Sequence, residues 1–341
     1  MKLRTLVFSG CGTRIIGHTG FLRCIEQNFD LSQVNTFAGT SAGSFIALTM
    51  TLGYTPNEIF ELLIGLDYIK VSSIDTDLLL DYYSNFGVDN GEKVTKLIKL
   101  LIEKKVGNPD ITFSELYSKT NKTLVVVSTN ITRECVEYIN HETYPDLPVY
   151  LGVKMSGTIP FYFTPVEWKG CLYVDGALID NFPIKNFDLD ETLGMYVKKQ
   201  DPPPDKIDNL LNYTVCILGT LLKVNENDLI ERYSDNMVLI ENRESMLDFK
   251  LSKEKRRMIF DMAYTATQEF IDKLKEKERL RKQQEIELEN EHSNARRNTQ
   301  EEEHNPESRE SGESSDGSIS DGSISDGSIS DGSISDGSIS D

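Results

Sequence analysis

The feature that most constrains this chain is a five-residue turn, Gly-Thr-Ser-Ala-Gly at residues 39–43, which lies between two apolar segments. Residues 34–38 have the pattern of a buried strand, and residues 42–52 have that of a helix. A tight strand-to-helix turn strains the backbone of its central serine, and small residues two positions away let neighbouring backbone pass. The pattern predicts that Ser41 is a nucleophile at the carboxyl end of the strand. An ordinary βα turn is the alternative.

The apolar runs around this turn predict a larger α/β sheet. Strand, loop, helix, strand and helix follow one another from the start of the chain, which is typical of a parallel sheet covered by helices. Residues 57–118 have a mainly helical pattern with a break at Asn90-Gly91. The predicted strands are residues 3–8, 34–38, 123–128, 134–139, 172–174, 193–197 and 237–240, and the other predicted helices are residues 17–28, 206–222 and a long one from about 255.

The C-terminal part of the chain differs in composition from the rest. Residues 251–300 predict a helix that begins amphipathic and then becomes charged, so we expect it to leave the globular body past Leu274. Its apolar stripe consists of Ile259, Met262, Ala263, Ala266, Phe270 and Leu274. Residues 301–341 are acidic, contain Asp-Gly-Ser-Ile-Ser repeats and are expected to be disordered, because so few apolar residues cannot offset the chain entropy. Residues 1–250 are the expected catalytic domain.

The charge distribution argues against nucleic acid as a partner. The net charge is −19, and residues 300–341 alone hold twelve Asp/Glu and one Arg. Residues 250–282 carry eleven Lys/Arg and six Asp/Glu, which suits either an anionic lipid surface or a solvated helix face. No segment reaches the ~18 apolar residues of a membrane span. The start is a poor signal peptide, and the five cysteines are scattered without a CxxC pair. We expect a cytoplasmic protein whose membrane contacts are peripheral.

A serine nucleophile needs a base, and the choice is narrow in this chain. Two of the four histidines, His292 and His304, lie in the charged C-terminal part. His18 lies on an apolar helix and His141 in a loop, so a Ser-His-Asp triad is poorly supported. Asp175 follows an apolar strand and precedes Gly and Ala, which suits either a carboxylate base or a turn.

A tetrahedral oxyanion also needs donors, and the loop after the first strand can supply them. Residues 10–14 read Gly-Cys-Gly-Thr-Arg between a strand and a helix, where successive N–H groups can point at one position. A dinucleotide site would need glycine at the place of Ile15. The loop therefore predicts either an oxyanion hole or a structural turn.

Four motifs stand in the order typical of one family. The first is residues 10–22, Gly-Cys-Gly-Thr-Arg-Ile-Ile-Gly-His-Thr-Gly-Phe-Leu, and the second is the turn at 39–43. The third is residues 155–166, Met-Ser-Gly-Thr-Ile-Pro-Phe-Tyr-Phe-Thr-Pro-Val, and the fourth is Asp-Gly-Ala at 175–177, followed by Asn-Phe-Pro. Together, over residues 3–185, they resemble the patatin-like phospholipases.

This resemblance implies a fold, a site and a reaction. The fold is the patatin-like three-layer α/β fold, with a mainly parallel central sheet flanked by helices. The reaction is lipid acyl hydrolysis by a Ser-Asp dyad, without a catalytic histidine, metal or cofactor. The implied site residues are the nucleophile Ser41, the general base and acid Asp175, the oxyanion-hole residues Gly10, Cys11, Gly12, Thr13 and Arg14, the elbow glycines Gly39 and Gly43, and Gly176 and Ala177 after the aspartate.

Two residues depart from the family's first motif. Cys11 and Ile15 each stand where the family has glycine. Cys11 keeps its N–H, so a hole can still form if the loop accepts a Cβ. A β-branched residue resists unusual backbone angles, so Ile15 would distort the loop if its position requires a positive φ.

Three functions are therefore weighed. The first is phospholipase A-like cleavage of glycerolipid esters at a membrane surface through an acyl-enzyme, which an alcohol in place of water would turn into acyl transfer. The second is a lapsed enzyme that binds membranes or partners through residues 250–282 and the acidic tail. The third is a soluble esterase whose triad uses His18 or His141.

Overall fold

An eight-stranded sheet forms the centre of the molecule. The computed structural model describes residues 1–71, 85–199, 207, 210–224 and 226–303 of the chain. The strands are β1 (Thr5–Phe8), β2 (Thr36–Thr40), β3 (Thr123–Asn130), β4 (Cys135–Ile139), β5 (Val166–Trp168), β6 (Cys171–Asp175), β7 (Thr192–Lys199) and β8 (Met237–Asn242).

The strand order is β5-β6-β3-β2-β1-β7-β8, with β4 also paired to β3. The five strands β3-β2-β1-β7-β8 are parallel to their neighbours, whereas β4 and β6 run antiparallel to β3, and β5 antiparallel to β6. The sheet is thus mixed with a parallel centre, as the α/β pattern predicted. In the register of β3 and β6, Ser128 lies opposite Asp175, which places the aspartate beside the carboxyl ends of the parallel strands.

Helices cover both faces of this sheet. Their bounds are α1 (Gly17–Asn28), α2 (Ala42–Thr51), α3 (Pro56–Gly65), α4 (Tyr68–Val71), α5 (Glu92–Val106), α6 (Phe113–Thr120), α7 (Val149–Ser156), α8 (Leu210–Lys223), α9 (Glu226–Arg232) and α10 (Lys253–Glu303). Successive side chains of β1 point to opposite faces of the sheet, and both faces are apolar. Leu6 and Phe8 belong to the larger core cluster. Val7 belongs to a second cluster with Phe182 and Tyr196.

The predicted elements agree with this fold in type, and several bounds shift. Residues 57–118 are helical in α3 to α6, and Gly91 at the predicted break precedes α5 with φ of +68°. Residues 72–84 of that stretch, and most of the start of the helix predicted at 206–222, lie outside the described residues. The short strand β5 was not predicted, although Gly170 in the tight turn before β6 was a usable signal.

The last helix packs most of the predicted stripe against the core: Ile259 and Ala263 are buried, and Ala266, Phe270 and Leu274 are partly buried against it. Thr267 and Ile271 are buried as well, but Met262 is exposed, so its assignment to the apolar face was wrong. The buried residues recur every four positions. The hydroxyl of Thr267 donates a hydrogen bond to the Ala263 carbonyl oxygen at 2.6 Å, so it is not left unpaired in the core. A small polar residue therefore takes a place that a hydropathy pattern would give to an apolar one.

The chain divides into two compact units, Met1–Arg279 and Leu280–Asp341. The first unit holds the sheet, its helices and the N-terminal half of α10. Within the second, the described side chains of residues 280–292 are exposed. The expected boundaries at 250 and 300 stay predictions, and residues 304–341 of the expected disordered tail lie outside the described part.

Candidate active site

Ser41 lies in the turn between β2 and α2 with φ of 54° and ψ of −122°. Such an angle is costly for a residue with a Cβ and persists only where the surroundings fix it. Here the Ser41 carbonyl oxygen accepts from the Ser44 amide (3.0 Å) and hydroxyl (2.6 Å), and the Ser41 amide donates to Ser156 Oγ at 2.8 Å. The strained turn predicted from the sequence is therefore present and held from both sides.

Two glycines make this turn possible by close approach. A Cβ on Gly39 would collide with the backbone of Gly43, and a Cβ on Gly43 would collide with the carbonyl group of Phe8 in β1. The backbone of α2 consequently lies directly on the strands. Ser41 is brought to the edge of the sheet, where the N-terminus of α2 offers unpaired N–H groups and partial positive charge.

Asp175, the last residue of β6, lies next to the serine. Its Oδ2 accepts the Ser41 hydroxyl at 2.6 Å, and its Oδ1 accepts the Ala177 amide at 2.9 Å. The side chain is only 4% exposed. Burial raises the pKa of Asp175 to about 6, and the hydrogen bonds from Ser41 and Ala177 offset part of that rise. The carboxylate is therefore ionised at neutral pH. Its pKa lies nearer to neutral pH than that of an exposed aspartate, which suits a general base.

The glycine-rich loop lines the same pocket as Ser41 and Asp175. Three of its amides are already used: Gly10 donates to the Asn181 carbonyl oxygen (3.2 Å), Thr13 to that of Met246 (2.9 Å) and Arg14 to that of Cys11 (3.3 Å). Within the described residues nothing accepts from the N–H groups of Cys11 and Gly12. Of the five amides that the sequence suggested, these two are available for an oxyanion.

The side chain of Arg14 fixes the direction of one of these donors. Arg14 is buried, and its Nε donates to the Cys11 carbonyl oxygen at 3.2 Å, beside the donor from its own amide. In a trans peptide the C=O and N–H groups point in opposite directions. Because the Cys11 carbonyl is held towards Arg14, the N–H of Gly12 in the same peptide unit points away from it.

The two departures from the family motif do not distort the loop. The positive φ in this loop falls on Gly12 (+58°), where a Cβ would also collide with the Met246 carbonyl oxygen. Ile15 is not among the residues with positive φ; it lies in a short 3-10 turn over Gly12–Ile16. Cys11 has φ of −153° and ψ of 4°, so its φ is negative and does not require a glycine. The position of Ile15 therefore does not require a positive φ, and the condition under which Ile15 would distort the loop does not hold.

Neither histidine of the alternative triad contacts Ser41. His18 is fully buried, its Nε2 lies 2.9 Å from the Ser9 carbonyl oxygen, and burial lowers its pKa to about 4. His141 is stacked on Tyr117 with ring centroids 3.7 Å apart, and its Nε2 faces Glu142. The geometry gives Ser41 a carboxylate partner rather than an imidazole.

An apolar cleft opens at the serine. It is bounded by α2, α3, α5, α7 and the segment at 246–249. Its apolar wall consists of Ile15, Ala42, Phe45, Leu63, Leu66, Tyr68, Val94, Leu97, Ile98, Val153, Ile159, Phe163, Met246, Leu247 and Phe249. A cleft of this kind suits a long hydrocarbon chain.

Three supporting residues were not predicted as part of the site. Ser156, which holds the Ser41 amide, lies inside the third motif and could have been found from it. Met246 accepts from the loop across more than two hundred residues, and no local pattern marks it. Arg256 donates to the carbonyl oxygens of Leu63 and Leu66 (3.1 and 2.7 Å) and so ties the start of α10 to one wall of the cleft.

Comparison with known proteins agrees with the motifs. The family model described as Patatin-like phospholipase matches residues 6–188. The probable lipid hydrolase 463L of Invertebrate iridescent virus 6 is 33% identical over 181 residues, which cover 53% of this chain and 62% of that protein. The uncharacterized protein R571 of Acanthamoeba polyphaga mimivirus is 27% identical over 289 residues, or 80% of this chain and 95% of its own.

A solved structure shares the fold. The crystal structure of VipD from Legionella pneumophila has a TM-score of 0.54 and 18% identity, covering 80% of this chain and 67% of that one. At this identity the likeness concerns the fold alone. Of the helices in the described part of the chain, none has the length and apolar character needed to span a membrane.

Proposed function

This chain belongs to the patatin-like phospholipase family, and from that premise we propose that it hydrolyses carboxylic esters of glycerolipids with a Ser41–Asp175 dyad. One observation carries the proposal: the Ser41 hydroxyl donates to a buried carboxylate at 2.6 Å, at the mouth of an apolar cleft. Burial gives that carboxylate the proton affinity that a base for a serine hydroxyl needs.

The first half of the reaction forms an acyl-enzyme. Asp175 Oδ2 takes the Ser41 proton while Oγ attacks the ester carbonyl carbon. The N–H groups of Cys11 and Gly12 donate to the oxyanion of the tetrahedral intermediate, and the N-terminus of α2 adds a favourable potential. The intermediate collapses as the C–O bond to the glycerol breaks, and Asp175 returns its proton to the leaving alcohol. The fatty acyl chain stays in the apolar cleft.

The second half repeats the chemistry with water. Asp175 accepts a proton from a water molecule that attacks the acyl carbonyl, the same amides hold the second oxyanion, and collapse restores the Ser41 hydroxyl. The products are a free fatty acid and a lysolipid or glycerol-containing alcohol. An alcohol that replaces this water would give acyl transfer instead. The pKa of Asp175 makes both steps dependent on its ionised form, so the rate should fall as the pH drops below about 6.

The test is fatty-acid release from mixed phospholipid vesicles without added calcium. Ser41→Ala removes the nucleophile and should lower release by roughly 10⁴-fold or more. His141→Ala is the matched control, since His141 lies against Tyr117 and away from the dyad, and it should keep wild-type release. Equal release by wild type and Ser41→Ala would refute the proposal. Loss of release in His141→Ala would instead support a Ser-His-Asp triad that uses His141.

A further inference from the structure

Large apolar side chains are exposed on the loops next to the catalytic pocket. Ile159, Pro160, Ala177 and Leu178 line that pocket. The residues that follow these two pairs point outward instead: Phe161 is 48% and Ile179 is 51% exposed. Apolar character therefore continues from the pocket wall onto the outer surface of the same two loops.

Phe86 belongs to a segment that packs on the same loop as Phe161. The Val88 amide donates to the Tyr162 carbonyl oxygen at 2.9 Å, and Gly87 lies so close to the backbone of Phe163 and Thr164 that a Cβ would collide with it. Phe86 is 56% exposed. Two phenylalanines on adjacent segments are thus exposed to solvent, one of them directly after the pocket residues Ile159 and Pro160.

Helix α8 also borders the catalytic pocket. It packs against the turn at 176–178, and its residues Gly219 and Lys223 line the catalytic pocket. Val224, which directly follows Lys223 just past the helix, is 71% exposed. We define the apolar rim as Phe86, Phe161, Ile179 and Val224.

The backbone at the two phenylalanines is unusual. Phe86 has φ of 54° and Phe161 has φ of 66°, the left-handed region that bulky side chains avoid. In a folded chain such a conformation costs free energy and clusters at functional sites. Burial of the rings does not account for it, because both rings are about half exposed.

We propose that the apolar rim inserts into the surface of a lipid layer and holds the mouth of the cleft against it. The inference rests on the proposed function, in which the substrate lies in such a layer. Phe161 and Ile179 each directly follow two residues that line the pocket of Ser41, so insertion of the rim would bring the lipid layer next to that pocket. Apolar insertion of this kind does not depend on anionic lipid or low salt. It therefore differs from attraction by the basic residues at 250–282.

The test measures sedimentation of the full chain with phosphatidylcholine vesicles, in a Ser41→Ala background so that no lipid is consumed. The double variant Phe86→Asn/Phe161→Asn removes both rings, and asparagine tolerates the left-handed backbone, so the fold should survive. We expect its partition coefficient to fall about tenfold or more. Leu100→Gln on α5 is the matched control, because Leu100 is 61% exposed but absent from the cleft and the rim, and it should bind like its parent.

Two outcomes overturn the inference. One is a folded double variant that binds phosphatidylcholine like its parent. The other is binding that needs anionic lipid and disappears at high salt, which would assign the contact to residues 250–282. If the double variant fails to fold by circular dichroism, Ile179→Ser/Val224→Ser removes the other two residues of the rim, and the same two outcomes apply. Because binding is measured without turnover, a failure here is separate from a failure of Ser41-dependent hydrolysis.

Discussion

The glycine-rich loop at residues 10–14 and the apolar rim are built in opposite ways. The loop is buried, its positive φ falls on a glycine, and the carbonyl of Cys11 and the amide of Thr13 are both engaged. The rim is exposed, and its two positive φ angles fall on phenylalanines. The groups that would act on a developing charge are thus held rigidly, whereas the surface that would meet lipid shows apolar area to solvent.

This contrast follows from what each region must do. Oxyanion stabilisation needs donors fixed before the reaction, because reorientation during the step would cost part of the gain. Binding to a fluid lipid layer needs apolar area rather than fixed geometry. A change in the loop should therefore damage turnover, and a change in the rim should damage attachment.

Gly12→Ala should distort the rigid loop and cause the largest loss of activity. The added Cβ would collide with the Met246 carbonyl oxygen and would sit at φ of +58°. The loop must shift, so we expect kcat on a glycerolipid ester to fall about 10²–10³-fold, the loss typical of a missing oxyanion donor. Fatty-acid release at saturating substrate measures it.

Gly170→Ala is the matched control for that prediction. Gly170 has φ of +75° but open space around the Cβ position, in the turn between β5 and β6. It carries the same left-handed cost of about 1–2 kcal/mol without a collision. Activity should be kept in Gly170→Ala. Equal losses in both variants would mean that backbone strain, and not the donor at Gly12, limits the rate.

Asp175→Asn tests how the buried carboxylate next to the loop affects stability, separately from its role in activity. Burial raises the pKa of Asp175 from 3.8 to about 6, so the folded state disfavours the ionised form. Wild type therefore loses stability as the pH rises from about 4 to about 6, while the amide does not ionise. At pH 8 the free energy of unfolding of the variant should exceed that of wild type by up to about 3 kcal/mol.

The same variant has an internal control in pH. Below about pH 4 both side chains are neutral, so the difference in unfolding free energy should shrink towards zero. Chemical denaturation at pH 4 and pH 8 measures both values. A difference that is the same at the two pH values would contradict a raised pKa for Asp175.

Local features of the site could be predicted from the sequence, and distant ones could not. The turn around Ser41 is fixed by the strand, the helix and the two glycines next to it in the chain, so its geometry was accessible. Asp175 alone resembled a turn residue more than a catalytic one, and only the order of four motifs pointed to it. Its approach to Ser41 depends on the pairing of β6 with β3, which no local pattern records.

Two further features had no usable signal. Met246 meets Thr13 through the tertiary fold, and its apolar side chain gives no hint that its carbonyl oxygen is the group involved. The left-handed angles of Phe86 and Phe161 run against residue preference, so reasoning from propensity would place both in ordinary backbone. Strain of this kind comes from surrounding contacts, and those become visible only in the folded chain.

The most direct test of the dyad is the pH dependence of Ser41 labelling by a fluorophosphonate, followed by intact mass. The reagent reacts with the serine without needing a lipid surface or a particular headgroup. In wild type, labelling at Ser41 should accelerate as the pH rises through about 6, the pKa of Asp175, and Asp175→Asn should remove that acceleration. Labelling of Asp175→Asn at the wild-type rate and with the wild-type pH profile would contradict the account.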